Sequence, residues 1–398
     1  MDRTDTGERR GDQGSLRASN RDRVLVALRE NGAISRAEIA RRTGLSRSTV
    51  SSVVRDLTAA GMVSEGLAAA GAGEKRGRPA VPVTLDPVAG VALGIDVGHH
   101  VRRVAVCDLG HRILAEREAA ADVASAEATL DAVAELSAGV LAEAGAEADR
   151  IVGAAMSLPA PIDTATGMIG APYLLPGWAG VRIGDEISRR LGVHVRVEND
   201  ANVSVLAESL WGAGKGSSDA VYLKWGAGIG CGLLIDGKLY RGVRGTAGEV
   251  GHVTHDEHGK LCVCGNRGCI ETVATAQAII GLLPESQTGR CSIAEVIRKA
   301  RDGDRTCLRA LADAGTVVGI AVANLCNVFN PSRVIVGGEV AQAGELVLGP
   351  VRRSVERCAV RSAADAVEIV PGVLGGRAEV LGTLAMVISE SNVFAAPG

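Results

Sequence analysis

The sequence lacks two features that would place it in or beyond a membrane. Although 46% of its 398 residues are hydrophobic, no run approaches the roughly 18 uncharged apolar residues that a membrane helix needs. The N-terminal residues 1–14 are charged and contain no apolar segment like that of a signal peptide, which favours a cytoplasmic location. In that compartment, the nine cysteines predict reduced thiols or metal ligands and not a disulfide framework.

The chain also lacks a strong net charge, but its charge is unevenly distributed. Residues 1–80 contain 15 Lys and Arg against 10 Asp and Glu, which gives +5, and the remainder carries −8. A basic N-terminal part attached to an acidic remainder indicates that the N-terminal part binds a polyanion. An ordinary solvated surface is the alternative.

Helix signals divide the N-terminal part of the chain. Residues 1–19 are polar and without periodicity, which predicts a disordered tail. A first apolar stripe ends at Asn31-Gly32, and Ser35 and Glu38 form a capping box that starts a second helix ending at Thr43. Ser46 is the predicted cap of a third helix that ends at Gly61. The inner face of this third helix is predicted to consist of Val50, Val53, Val54 and Leu57.

The third helix has a polar face suited to DNA. Its predicted contact residues are Arg47, Ser48, Thr49, Ser51, Ser52 and Arg55, short or basic side chains that can reach base edges in the major groove. Downstream, Arg76 and Arg78 precede alternating apolar residues, which predicts a two-stranded wing with two guanidinium groups for the minor groove. Residues 20–85 are therefore predicted to be a winged helix-turn-helix domain that binds a double-stranded operator. A three-helix module for protein contacts is the alternative.

Residues 86–398 have the pattern of a two-lobed α/β domain. A strand–turn–strand–turn–strand scheme begins at Val91 and is repeated from Ala220, which indicates a duplicated architecture. Helices are predicted at residues 129–144, 185–191 and 307–328. Pro87 to Gly90 is predicted to be a short linker.

A cluster of metal-ligand residue types lies within the second half, at residues 252–269. His252, Cys262, Cys264 and Cys269 supply the four soft ligands of a closed tetrahedral zinc site, and Gly265 and Gly268 let the backbone wrap the ion. A structural Zn²⁺ is therefore predicted. His255 or His258 in place of His252, and three buried free cysteines, are the alternatives.

Several motifs in this order resemble the ROK family of repressors and sugar kinases. They are Gly94 to Gly98 (GIDVG), Glu198 to Asn202 (ENDAN), Gly245 to His252 (GTAGEVGH), the cysteine cluster ending in Glu271, and Asn330 to Gly338 (NPSRVIVGG). The resemblance covers nearly everything from Asn20 to the C-terminal helix. It implies an actin-like, ribonuclease H-like pair of lobes with a sugar in the cleft between them.

The resemblance also implies roles for individual residues. Asp200 matches the general base of the ROK kinases, and Asn199, Glu249, His252 and Glu271 match positions that bind other sugar hydroxyls. Carboxylates and amides suit such a cleft because each can satisfy one or two hydroxyls. One ring nitrogen of His252 would face the zinc ion and the other the sugar.

Three positions depart from the kinase pattern: two of them argue against phosphate chemistry, and the third, Leu174, cannot bind a sugar hydroxyl, so that another group compensates or the ligand differs from glucose-like sugars. His99-His100 stand where the kinases have Gly-Thr, Ala227 replaces the Thr of the second hairpin, and Leu174 stands where sugar binders typically have an Asn. Phosphate-binding hairpins need small residues and often a hydroxyl, so ATP binding and catalysis are not expected.

The expected function is that of a sugar-responsive, DNA-binding regulator, a repressor of carbohydrate-related genes acting as a homodimer or homotetramer. An active ATP-dependent sugar kinase and a DNA-binding scaffold without a sugar ligand are the alternatives.

Overall fold

The computed structural model describes residues 20–21, 23–28, 31–59, 61–66, 81–86, 90–284 and 291–390. The predicted tail at residues 1–19, the basic segment with Arg76 and Arg78, and residues 87–89 of the predicted linker lie outside them.

Three helices form the N-terminal unit. The first helix, α1, includes residues 20–21 and 23–28, α2 spans Arg36–Thr43 and α3 spans Arg47–Ala59. Ser46 Oγ accepts a hydrogen bond from Thr49 N (3.1 Å) at the start of α3, as predicted for a cap. Gly44 ends α2 with a φ of 66°, a left-handed conformation that glycine adopts without steric cost.

The predicted capping box at α2 is only half right. Ser35 Oγ accepts the expected hydrogen bond from Glu38 N (3.2 Å). The Glu38 carboxylate, however, binds the guanidinium groups of Arg41 and Arg42 one turn later (each 2.6 Å at the shortest contact). Charge-assisted bonds on the same helix face are stronger than a bond to a neutral backbone N–H, so the carboxylate turns away from the cap.

A small sheet completes the N-terminal unit. Strands β1 (Ile34–Ser35), β2 (Val63–Glu65) and β3 (Pro82–Leu85) are antiparallel in the order β1-β3-β2. Of the predicted inner face of α3, three residues are buried and Val53 is half-buried. The same hydrophobic cluster includes Leu109 and Val152 of the following domain, so the two domains share a packed contact.

Two five-stranded sheets of the same topology form the rest of the protein. The first contains β4 (Val91–Val97), β5 (Val101–Asp108), β6 (Ile113–Ala120), β7 (Ile151–Leu158) and β8 (Val195–Asn199), in the order β6-β5-β4-β7-β8. The second contains β9 (Ala220–Trp225), β10 (Ile229–Ile235), β11 (Lys238–Leu239), β12 (Arg333–Gly337) and β13 (Glu368–Pro371), in the order β11-β10-β9-β12-β13. In each sheet the first three strands are antiparallel and the last two are added in parallel. The predicted duplication is confirmed.

Helices cover both sheets and fill the space between them. The first sheet carries α4 (Ala126–Glu143) and α5 (Ile183–Leu191), and the second carries α7 (Glu271–Ala274), α8 (Ala276–Gly281), α9 (Ile293–Arg301), α10 (Arg305–Phe329), α11 (Glu345–Cys358) and α12 (Arg361–Ala366). Between the sheets lie α6 (Asp200–Trp211) and α13 (Ala378–Glu390). Gly382 of α13 approaches α6 so closely that an added Cβ would lie 2.0 Å from Val203 O. This pair of helices therefore packs closely between the two sheets.

The long helix α10 meets the length and hydropathy of a membrane span, with an 18-residue window of mean hydropathy 1.5. Half of that window is buried inside the protein, where its apolar face packs in the core of the second lobe. In the described part of the chain it is the one helix that meets this test, and its burial is that of a core helix.

Candidate functional site

The predicted DNA-contact residues lie together on one side of α3. Arg47, Ser48, Ser51 and Arg55 are exposed, and Thr49 and Ser52 are half-buried. The hydroxyls of Ser48 and Thr49 each lie 2.8 Å from Ser46 Oγ at the start of the helix. Arg55 donates to Ser52 Oγ (3.2 Å) in the third turn. These residues give α3 a polar, basic surface, and the Ser46 cap orders the side chains in the first turn of the helix.

Asn199 and Asp200 begin α6 at the carboxyl end of β8. The side-chain oxygen of Asn199 caps the helix by accepting from Ala201 N (2.9 Å) and Asn202 N (3.2 Å), which leaves its amide NH₂ for another partner. Asp200 is buried, and its Oδ1 accepts from Ala201 N (2.7 Å). The cap therefore fixes the orientation of both side chains at the floor of the cleft.

Lys224 of β9 binds two carboxylates across this floor. Its Nζ lies 2.7 Å from Asp200 Oδ2 and 2.7 Å from Glu379 Oε1 at the start of α13. Burial alone would lower the pKa of Lys224, but the charges of Asp200, Glu379 and Asp96 outweigh it and hold that pKa well above its usual value. Lys224 therefore stays charged and connects the second sheet to carboxylates that pack against the first.

Asp96 of the GIDVG motif lies at the edge of this ionic cluster. It is 3% exposed and accepts a hydrogen bond from Ser157 Oγ (2.9 Å). Burial, and after it the Glu379 carboxylate, raise the pKa of Asp96 to about 7. The Arg103 guanidinium, 4.0 Å from Asp96, forms its shorter ion pair with Glu118 (2.7 Å).

Glu249, His252 and Glu271 converge on the other side of the cleft. His252 Nε2 lies 3.8 Å from the Glu249 carboxylate and 3.9 Å from that of Glu271. The second oxygen of Glu271 accepts from Ile229 N (2.8 Å), which fixes its position. Burial, followed by the charges of Glu271 and Asp200, raises the pKa of Glu249 to about 7. These carboxylates therefore act on one another electrostatically within one cleft.

The side chains of His252, Cys262, Cys264 and Cys269 form one tetrad. Their ligand atoms all lie within 4.8 Å of one another. His252 Nδ1 is 3.6 Å from Cys262 Sγ, and Cys264 Sγ is 3.6 Å from Cys269 Sγ. Tetrahedral Zn–S and Zn–N bonds of about 2.3 and 2.0 Å place neighbouring ligand atoms about 3.5–3.8 Å apart. The tetrad therefore fits a metal ion of this kind.

The two ring nitrogens of His252 face different partners. Nδ1 lies in the tetrad, and Nε2 faces the carboxylates of the cleft. His255 and His258 are not in the tetrad, and the exposed His258 ring lies next to Glu257 (3.6 Å). A metal at the tetrad would thus fix the face that His252 presents to a ligand.

The residues that depart from the kinase pattern line the same cleft region. His99 and His100 occupy the turn between β4 and β5, with ring centroids 6.5 Å apart. Ala227 is exposed at the turn between β9 and β10, where Gly226 N donates to Gly228 O (2.9 Å). Leu174 is half-buried in the loop after β7.

Sequence reasoning missed Lys224, Glu379 and Tyr173. Lys224 stands between two buried residues in an otherwise apolar strand, and a buried lysine requires a carboxylate partner, which is a signal that the sequence contains. Glu379 gives no such signal, because it lies in helix α13 and its partner Lys224 lies far away along the chain. The Tyr173 ring packs edge-on against the His252 ring, with centroids 6.2 Å apart.

Comparisons with known proteins match both parts of the chain. The profile of the ROK family matches residues 92–390, and that of the MarR family matches residues 23–71. The xylose repressor of Bacillus subtilis is 31% identical over 380 residues, covering 95% of this chain and 97% of the repressor. A solved ROK family transcriptional regulator, a homologue of the Escherichia coli MLC protein, is 24% identical with a TM-score of 0.78, covering 95% of this chain and 97% of its own.

Kinases match only part of the chain. The glucokinase of Thermotoga maritima is 35% identical over 243 residues, which cover 58% of this chain and 77% of the glucokinase. The expected actin-like, sugar-kinase-type fold behind a winged helix is therefore confirmed, and the chain belongs to the ROK family.

Proposed function

We propose that the protein is a sugar-responsive DNA-binding regulator that represses carbohydrate-related genes. The observation that carries the proposal is the match of the whole chain, N-terminal helices included, to a protein named xylose repressor. The exposed polar face of α3 supports DNA contact by Arg47, Ser48, Thr49, Ser51, Ser52 and Arg55, and Arg76 and Arg78 are proposed for the minor groove. The protein would act in the cytoplasm as a homodimer or homotetramer on two half-sites.

The sugar would lie between the floor of the cleft and the His252 side. Asp200, Glu249 and Glu271 supply acceptors, and His252 Nε2 and the Asn199 amide supply further partners; Asp200 is buried, and the side chains of His252 and Glu271 are 12% and 17% exposed. A buried site of this kind favours ligands whose hydroxyls satisfy every polar group and rejects those that lack them.

A structural Zn²⁺ would be held by His252, Cys262, Cys264 and Cys269. The distances within the tetrad support this. The ion would stabilise the loop at 252–269 and hold the His252 ring toward the sugar, as an ion does through a shared ligand.

A sugar kinase is the second candidate, supported by the identity to the glucokinase. Against it stands the Lys224 ion pair with Asp200 (2.7 Å), which engages the oxygen that would accept a proton from the sugar. His99-His100 and Ala227 add to this, because bulky rings and a missing hydroxyl are unsuited to positioning phosphates. A scaffold that binds no sugar remains the third candidate.

One experiment separates the candidates. DNA fragments selected by the purified protein are titrated with it by fluorescence anisotropy, with and without each of a panel of monosaccharides that raise its melting temperature. The proposal expects one sugar to change the DNA affinity at least about 10-fold, and Glu249→Ala to abolish that change while DNA binding without sugar persists. Robust Asp200-dependent ATP consumption with any of these sugars would establish the kinase instead, and DNA binding without response to any sugar would favour the scaffold.

A further inference from the structure

A cavity of about 570 Å³ opens at the turn between β4 and β5. Its walls are the turn that contains His99 and His100, residues 121–124 after β6, and residues 174–177 in the loop after β7. Of these residues only Leu174 stands at a position that matches a sugar ligand in the family, and its side chain cannot hydrogen-bond. The volume lies within the range of about 300–1,000 Å³ that small-molecule sites occupy.

Hydrogen bonds and close backbone packing join the walls of the cavity to one another. Trp178 is fully buried, and its Nε1 donates to Val123 O (2.8 Å). Ala121 N donates to His100 O (2.9 Å), which joins the turn to the end of β6. Gly177 lies so close to Ala124 that an added Cβ would stand 1.9 Å from its carbonyl oxygen. The cavity is therefore preformed, which lowers the entropic cost of binding.

Two of the residues that line the cavity connect it with the sugar-facing groups. Tyr173, whose ring packs on His252, is the neighbour in sequence of Leu174 in the cavity wall. On the opposite wall, His99 is near enough to Asp200 and Lys224 to be influenced by both charges. A ligand held by Asp200 and His252 thus has the cavity directly beside it.

The chemistry of the walls suits an uncharged group. The ten lining residues include neither Lys nor Arg. Their one carboxylate, Asp122, accepts a hydrogen bond from Ala124 N (2.9 Å) through Oδ1. The walls partly desolvate the solvent-accessible His99 ring, and this lowers its pKa although Asp200 opposes the effect. Leu174, Leu175 and Pro176 contribute apolar surface, and imidazole and proline rings offer flat faces for stacking.

We propose that this cavity is a second subsite, which receives an uncharged ring attached to the sugar, so that a neutral glycoside binds more tightly than the free monosaccharide or its phosphate. The inference rests on the proposed function, because it requires the sugar to be held by Asp200, Glu249 and His252. The lining offers a phosphate group neither Lys nor Arg and contributes the negative charge of Asp122, so the cavity itself does not attract an anion.

The test uses the full chain with zinc and isothermal titration. For the monosaccharide that gives the largest thermal shift, the probes are its methyl glycoside, its 4-nitrophenyl glycoside and its 6-phosphate, with both anomers of each glycoside. Burial of an aryl ring should make one nitrophenyl anomer bind at least about 10-fold more tightly than the methyl glycoside. The 6-phosphate should bind at least about 10-fold more weakly than the monosaccharide.

Variants assign the effect to the cavity. His100→Ala and Leu174→Ala should each reduce the nitrophenyl advantage to about 3-fold or less, while methyl glycoside affinity stays within about 2-fold. His194→Ala, which changes an exposed histidine outside the cavity, should leave both affinities unchanged.

Three results would overturn the subsite, and they differ in what they say of the sugar cleft. Equal affinity for methyl and nitrophenyl glycosides, both lost in Glu249→Ala, would remove the subsite and leave the proposed function intact. Failure of every sugar to bind would remove both. Tighter binding of the 6-phosphate would show that the cavity receives an anion and would also overturn the inference.

Discussion

At the scale of single residues, Lys224 is the charged group on which the cleft floor depends. Its replacement by Met leaves Asp200 and Glu379 buried and facing each other without a cation. Breaking a buried ion pair costs about 3–5 kcal/mol, and we expect the lower end because the Lys224 side chain is 25% exposed. Denaturant unfolding measures this loss, with Lys238→Met at an exposed position of β11 as the control. Equal stability of the two variants would contradict the role given to Lys224.

Asp96 makes the stability of the folded protein depend on pH. Burial and, after it, the Glu379 carboxylate raise the pKa of Asp96 to about 7. In the unfolded chain the pKa of this group has its ordinary value of about 3.9. Between these values the folded protein holds a proton that the unfolded chain has released, so this group's contribution to stability falls as the pH rises. The Asp96→Asn variant has no titrating group at this position, so it does not lose this stability as the pH rises.

We therefore expect the stability of Asp96→Asn relative to the parent to increase by about 2 kcal/mol from pH 5 to pH 7. The groups that face Asp96 are Ser157, Arg103, Lys224, Glu379 and Asp200, and all are kept in the variant. Denaturant unfolding at both pH values provides the measurement. Parallel stability curves for the two proteins would show that Asp96 does not titrate in this window.

At the scale of elements, the loop at 252–269 has few apolar contacts of its own, and two of its residues, Leu261 and Val263, are 67% and 71% exposed. Zinc would supply its stability, since metal binding energy is folding energy in small closed sites. Cys264→Ser should abolish zinc binding, measured by elemental analysis, and increase hydrogen exchange throughout 252–269. Cys358→Ser, at an exposed cysteine outside the tetrad, is the matched control. Elemental analysis that finds no zinc in the purified parent protein would contradict this prediction.

The proposed DNA-contact surface of α3 can be tested with a variant and a matched control. Arg47 is exposed in the first turn of α3, the part nearest the bases in helix-turn-helix proteins. Arg47→Ala should weaken binding to selected DNA by about 1–3 kcal/mol. Arg309→Ala, which removes an exposed arginine of α10 paired with Asp313, should bind like the parent. Equal affinity of all three proteins at physiological salt would assign the contact surface elsewhere.

Elements were more predictable than their side-chain partners. The two hairpin units were visible because turn residues and apolar strands repeat along the chain, and the caps at Ser35 and Ser46 depend on residues three positions apart. The Glu38 carboxylate was misassigned because two competing arginines lie on the same face. The pairing of Lys224 with Glu379 joins a strand residue to a helix residue far along the chain, and no local pattern specifies such a contact.

At the scale of the whole molecule, the contact between the domains offers the proposed sugar binding a route to the DNA-binding unit. That contact is a hydrophobic cluster in which Leu109 (7% exposed) and Val152 of the first lobe pack with Val63, Val83 and Leu85 of the winged helix. Leu109 follows β5, and Val152 belongs to β7, whose neighbour β8 leads into Asp200. Movement of the first lobe on closure would therefore be transmitted to the winged helix through this cluster.

Leu109→Ala should weaken this link while leaving each domain's own site intact. The truncation opens a gap at the contact and costs about 2–4 kcal/mol of packing, so the winged helix follows the lobe less closely. We expect sugar affinity and sugar-free DNA affinity within about 3-fold of the parent, but at least about a 5-fold loss in the effect of sugar on DNA affinity. Leu130→Ala, a buried change on α4 away from the cluster, controls for general destabilisation. A full sugar response in Leu109→Ala would mean that the signal reaches DNA by another route, through rearrangement of subunits in the oligomer.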